Sequence, residues 1–142
     1  MDKSRWLQLT LGYLALSTAS VGFWAQFAPR SFYDSFPGAG RVWISVDGPY
    51  NEHLIRDVRG LNLALTVLLV AAILTVDWRL TATASFAALA YGVPHLIYHA
   101  TNTGTLSTSD VVASLGGLAL FATIPVALLI VGRQAAKPNL EL

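Results

Sequence analysis

The chain is expected to fold as an all-α integral membrane protein, a four-helix up-down bundle with a long extracytoplasmic loop between helices 1 and 2. Three observations predict this class. Charged residues make up only 12% of the 142 residues, while hydrophobic residues reach 54%; a typical soluble domain is about 25% charged. Mean hydropathy is +0.55. Four apolar stretches approach the roughly 20 residues that a helix needs to cross about 30 Å of hydrocarbon. They are too long and too uniformly apolar for barrel strands, and only helices or closed barrels satisfy their backbone in lipid. The length fits a single transmembrane domain, 1–142.

The first span covers about 6–28 and carries no charge. It is longer than a signal-peptide core, and Ala28-Pro29-Arg30 is a poor cleavage site. The outer loop, 29–53, has its own signals. Ser31-Phe-Tyr-Asp34 fits a capping box that would start a short amphipathic helix on the membrane, ended by Pro37-Gly38. Trp43 and Tyr50 suit headgroup depth. The second span, about 54–76, is uncharged only from Gly60 to Val76, so its helix should begin among the polar residues Asn51 to Arg56. Asp77-Trp78-Arg79 makes a tight inner turn into the third span, about 80–100, which Pro94 should kink. The fourth, about 111–132, holds Gly116-Gly117 and Ala113 for close helix packing and Pro125 as a second kink. A flexible tail, 134–142, is expected to follow.

Composition excludes several function classes. A net charge of +1 offers no basic patch, so no nucleic-acid partner is expected. With no cysteine there are no disulfides, thiolate metal sites or thiol redox chemistry, and the single methionine is the first residue. Charge placement sets orientation. With the N-terminus inside, the inner side carries Lys3, Arg5, Arg79, Arg133 and Lys137, and the outer side Arg30, Arg41, Arg56 and Arg59 among Asp34, Asp47, Glu52 and Asp57. The short inner segments favour an N-in/C-in multi-pass protein of the cytoplasmic (cell) membrane.

All three histidines lie in two segments, Asn51 to Arg59 and Tyr91 to His99. In an up-down arrangement the start of the second helix and the end of the third meet at one membrane face. His53 and Asp57 share a helix face, as do Tyr91, His95 and His99. Ionisable residues in membrane spans mark function by default.

Several readings of this cluster stay open. His53, Asp57, His95 and His99 could bind a transition metal, the donor set suiting zinc, iron or copper, with Glu52, Arg56, Arg59 and Tyr91 as surrounding groups. Haem b ranks behind, because it needs two rings facing across the width of a macrocycle. A metal-free pocket could bind a lipid or quinone headgroup through Arg56, Arg59, Glu52 and Asp57, or use them for acid–base chemistry with His95 or His99. The same residues could instead pin the outer loop, in a non-catalytic accessory or structural subunit with a membrane-protein partner or as a homo-oligomer. No catalytic residue is assigned.

With Phe32-Tyr-Asp-Ser-Phe-Pro-Gly in the long loop and Tyr50-Asn-Glu-His-Leu-Ile-Arg-Asp opening the second helix, the chain resembles the small DoxX-like four-helix membrane proteins of bacteria. Its many Ala, Val, Leu and Arg with few Lys suit the actinobacterial type. The resemblance is architectural and implies an association with respiratory redox chemistry; it transfers no site residue.

Overall fold

The computed structural model describes residues 3–135. Helix α1 runs Lys3–Phe27, α2 Pro29–Ser35, α3 Glu52–Thr75, α4 Trp78–Thr101 and α5 Thr108–Val131, closed by a 3-10 turn at Gly132–Gln134. The loop after α2 holds a small antiparallel hairpin, β1 Pro37–Gly38 with β2 Arg41–Val42. The tail expected from 134 thus begins inside an ordered turn, and 136–142 lie outside the described residues.

Among the described residues, α3, α4 and α5 are long and apolar enough to cross a membrane. The sequence reading gave a fourth such stretch. Helix α1 has the length but is diluted by Gln8, Thr10, Ser17, Thr18 and Ser20.

Each helix start has a local cause. Asn51 caps α3 by accepting from the Leu54 amide, Asp77 caps α4 at Leu80, and Ser107 caps α5 at Asp110. These caps start the helices two or three residues earlier than hydropathy alone suggests. The capping box expected at Ser31 does not form. Helix α2 begins instead at Pro29, whose fixed φ suits a first helical position. Ser31 accepts from the Trp24 indole, and Asp34 pairs with Arg30 at 2.7 Å. That hydrogen bond raises the pKa of Arg30 above its ordinary value, and its guanidinium sits over the Tyr50 and Tyr33 rings at 5.1 and 5.7 Å. Between α3 and α4, Val76 adopts left-handed backbone and Asp77 starts the next helix at once.

Packing divides the molecule into two hydrophobic clusters. The larger lies toward the α3–α4 turn and joins Leu7, Leu11 and Leu14 of α1 with Leu65, Leu69 and Ala72 of α3, Ala84 and Ala88 of α4, and Phe121 and Leu128 of α5. Small residues allow close approach, as transmembrane packing requires. At Gly92 a Cβ would stand 2.9 Å from the Phe121 ring, and at Gly22 2.8 Å from the Leu63 side chain. The smaller cluster, at the loop end, joins Ala25, Phe32 and Ile55 with Trp24, Tyr33, Phe36, Ile44 and Tyr50. It contains no residue of α4 or α5. Helix α3 packs chiefly along α1, and α4 along α5. Beyond Gly92 no residue of α4 is buried.

Candidate functional site

A groove opens between α3 and α4. It has a volume of about 680 Å³ and is lined by Leu61 of α3 and by Ala87, Ala90, Tyr91, Pro94, His95, Tyr98 and His99 of α4. Most of this lining is apolar surface, interrupted by two imidazoles and two phenols. The helical repeat explains the pattern, since residues three and four apart share one side of α4.

The rings form a continuous row. Phe121 of α5 meets Tyr91 edge-on at 6.2 Å, and Tyr91 meets His95 edge-on at 5.2 Å. His95 stacks on His99 at 4.9 Å, and Tyr98 closes the row edge-on at 5.3 Å. Such offset and edge-to-face contacts fix ring orientation. Behind the row, the Tyr91 side chain interacts with Asn62 of α3. The Asn62 side-chain Nδ2 donates to the Val58 carbonyl at 2.8 Å, and the Asn62 backbone carbonyl accepts from the Thr66 hydroxyl at 2.8 Å. Thr66 in turn bonds Thr18 of α1 at 2.8 Å. Polar groups between the helices are thereby satisfied internally. Pro94 leaves α4 unbroken, as a helix from Trp78 to Thr101.

The residues singled out from sequence are only partly brought together. Tyr91, His95 and His99 share the groove. His53 and Asp57 form their own pair at 3.5 Å, with exposures of 86% and 65%. Among the described residues no three His, Cys, Asp or Glu side chains converge on a position for a metal ion, so His53, Asp57, His95 and His99 are not gathered into one donor set. The packing gives the reason. The start of α3 is held against α1 and α2 through Ile55, Ala25 and Phe32, away from the end of α4. Glu52 and Arg56 pair with each other on the exposed side of α3, and Arg59 is half-buried one turn further on.

Sequence reasoning missed two residues of the groove and one anchor of the long loop. Tyr98 belongs to the same stripe, three residues after His95, and counting the full width of a helical face would have included it. Leu61 supplies the α3 wall. Asp110 receives hydrogen bonds from Arg41 and Trp43 of the long loop. The pattern Ser107-x-x-Asp110 before an apolar run signals a helix start, and here the hydroxyl and backbone contacts of that motif form.

Comparisons with protein-family models, curated proteins and solved structures found no match.

Proposed function

We propose that this chain is a multi-pass protein of the cell membrane in which α1, α3, α4 and α5 all cross the bilayer, with both termini cytoplasmic, and that its groove binds a membrane amphiphile, a lipid or a quinone, at the outer face. The fourth span is supported by the outward face of α1. Leu9, Leu16, Phe23 and Phe27 are 60%, 71%, 53% and 77% exposed, a costly face for water and a suitable one for lipid. Five of its polar side chains are satisfied internally, as hydrocarbon demands. Gln8 donates to the Ile73 carbonyl, and Thr10, Ser17, Thr18 and Ser20 return to carbonyls of their own helix.

The observation that carries the ligand reading is the groove itself, with an apolar floor at Leu61, Ala87 and Ala90 and hydrogen-bonding rings at its loop end. Binding sites combine apolar walls with a few polar groups that fix orientation. An amphiphile would lay its tail on the floor and direct its oxygens to His95, His99 and Tyr98. A quinone headgroup would agree with a redox association, and a phospholipid headgroup would use the same donors.

The test is amphiphile capture. Protein extracted from membranes should retain a stoichiometric amphiphile, identified by mass spectrometry as lipid or quinone, and His95→Ala should retain several-fold less. Equal retention by both proteins would remove the reading. A second reading, a non-catalytic accessory or structural subunit, rests on the lack of any buried residue in α4 beyond Gly92. It would be favoured if the purified chain carried no amphiphile and associated stably with another membrane protein.

A further inference from the structure

The hydrogen-bonding rings of the groove are set back from the loop end. His95 and Tyr91 stand six and ten residues before the end of α4 at Thr101, about 9 Å and about 15 Å inside it at a rise of about 1.5 Å per residue. Among the described residues, none that lines the groove is Lys, Arg, Asp or Glu. The arginines nearest the loop end are engaged elsewhere. Arg30 pairs with Asp34 at 2.7 Å, Arg41 with Asp110 at 2.7 Å and Arg56 with Glu52 at 2.5 Å. Arg59 precedes Leu61 by two residues, which sets it about 200° around α3 from that groove wall. Asp57, four residues before Leu61, shares its face and brings negative charge to that side, 65% exposed beside His53. Lys3, Arg5, Arg79 and Arg133 stand at the opposite end of the bundle, where Gly132 packs against Trp78 and Leu7.

We infer that the groove selects amphiphiles whose head is uncharged and carries oxygen acceptors, the chemistry shared by a quinone and a diacylglycerol. The inference rests on the groove as the binding site and names the class of ligand it prefers. Two imidazoles and two phenols can donate hydrogen bonds to carbonyl or hydroxyl oxygens. A phosphate at the depth of His95 would leave water with no cation to pair with, and an unpaired buried charge is costly. Asp57 adds repulsion for an anion that approaches along α3. A bilayer phospholipid can rest an acyl chain on the apolar floor by mass action, yet an uncharged head should displace it.

Dioctanoylglycerol and dioctanoyl phosphatidic acid carry the same tails and differ by one phosphate. Isothermal titration of the full chain in an uncharged detergent should show dioctanoylglycerol or decylbenzoquinone binding about tenfold more tightly than the phosphatidate, a factor equivalent to about 1.4 kcal/mol. Whichever uncharged probe binds more tightly identifies the source, lipid or quinone. His95→Ala should weaken that probe several-fold and leave the phosphatidate unchanged. Tyr98→Arg, at a position 49% exposed and so tolerant of substitution, should narrow the gap by giving the phosphate a cation. Arg59→Ala should leave the gap as it is. Phosphatidate that binds as tightly as both uncharged probes, or that loses affinity in Arg59→Ala, overturns the inference while the groove remains a binding site. Binding of no probe, or binding of the uncharged probes that is indifferent to His95→Ala, removes the groove reading and the inference with it.

Discussion

At the residue scale the groove depends on a few side chains whose loss should affect binding more than folding. His95 and His99 are half-buried and stack on each other. Removing either deletes a hydrogen-bonding group beside an open groove and leaves no large closed cavity. His95→Ala and His99→Ala should each weaken amphiphile binding several-fold, in keeping with about 0.5–1.5 kcal/mol for one hydrogen bond. Their melting temperatures should stay near that of the parent. Titration with a fluorescent amphiphile and a thermal unfolding scan of the same samples checks both. Elemental analysis gives an independent check. Purified protein should hold no stoichiometric zinc, iron or copper, because the His53–Asp57 pair stands apart from His95 and His99; stoichiometric metal lost in both histidine variants would restore the metal reading.

At the element scale stability should respond to caps and close contacts. Asp77 caps α4 directly after the left-handed Val76, and its side chain accepts from the Leu80 amide at 2.8 Å. Asp77→Ala should cost about 1 kcal/mol, the usual loss for an N-cap, measured by reversible unfolding in detergent. Gly92→Ala should cost about 1–3 kcal/mol by overpacking, because its Cβ would meet the Phe121 ring, itself held against Tyr91. Gly22→Ala should cost less, since the nearest atom there is the flexible end of Leu63. The four long helices were legible because uninterrupted apolar runs have few alternatives in a chain with so little charge. The starts of α4 and α5 were placed two or three residues late because Asp77 and Ser107 act through hydrogen bonds that hydropathy ignores, whereas α3 begins at Glu52, inside the polar stretch where it was expected. The box expected at Ser31 failed for a related reason. Arg30 lies four residues before Asp34 and takes its carboxylate, and Pro29 offers an earlier start. The stripe of Tyr91, His95 and His99 was legible from helical spacing. Its separation from His53 and Asp57 was not, because that depends on α3 leaning on α1, which spacing within one helix cannot reveal.

At the scale of the whole molecule, the four long helices share a core near the α3–α4 turn, while the cluster at the loop end includes no residue of α4 or α5. Topology follows from the four proposed spans. A reporter fused after Lys137 should behave as cytoplasmic and one inserted near Gly38 as extracytoplasmic; the opposite pattern would move the groove to the inner face. The most direct measurement on the groove is photolabelling in vesicles with a phospholipid carrying a diazirine in its acyl chain, followed by peptide mapping. Adducts should concentrate on Leu61, Ala87 and Ala90 and fall several-fold in His95→Ala, with displacement by excess quinone marking a quinone site and displacement only by unlabelled phospholipid marking a lipid site. Labelling spread evenly over outward residues such as Leu16, Val67, Leu74, Phe86 and Ile130, with no excess in the groove, would contradict a binding site there.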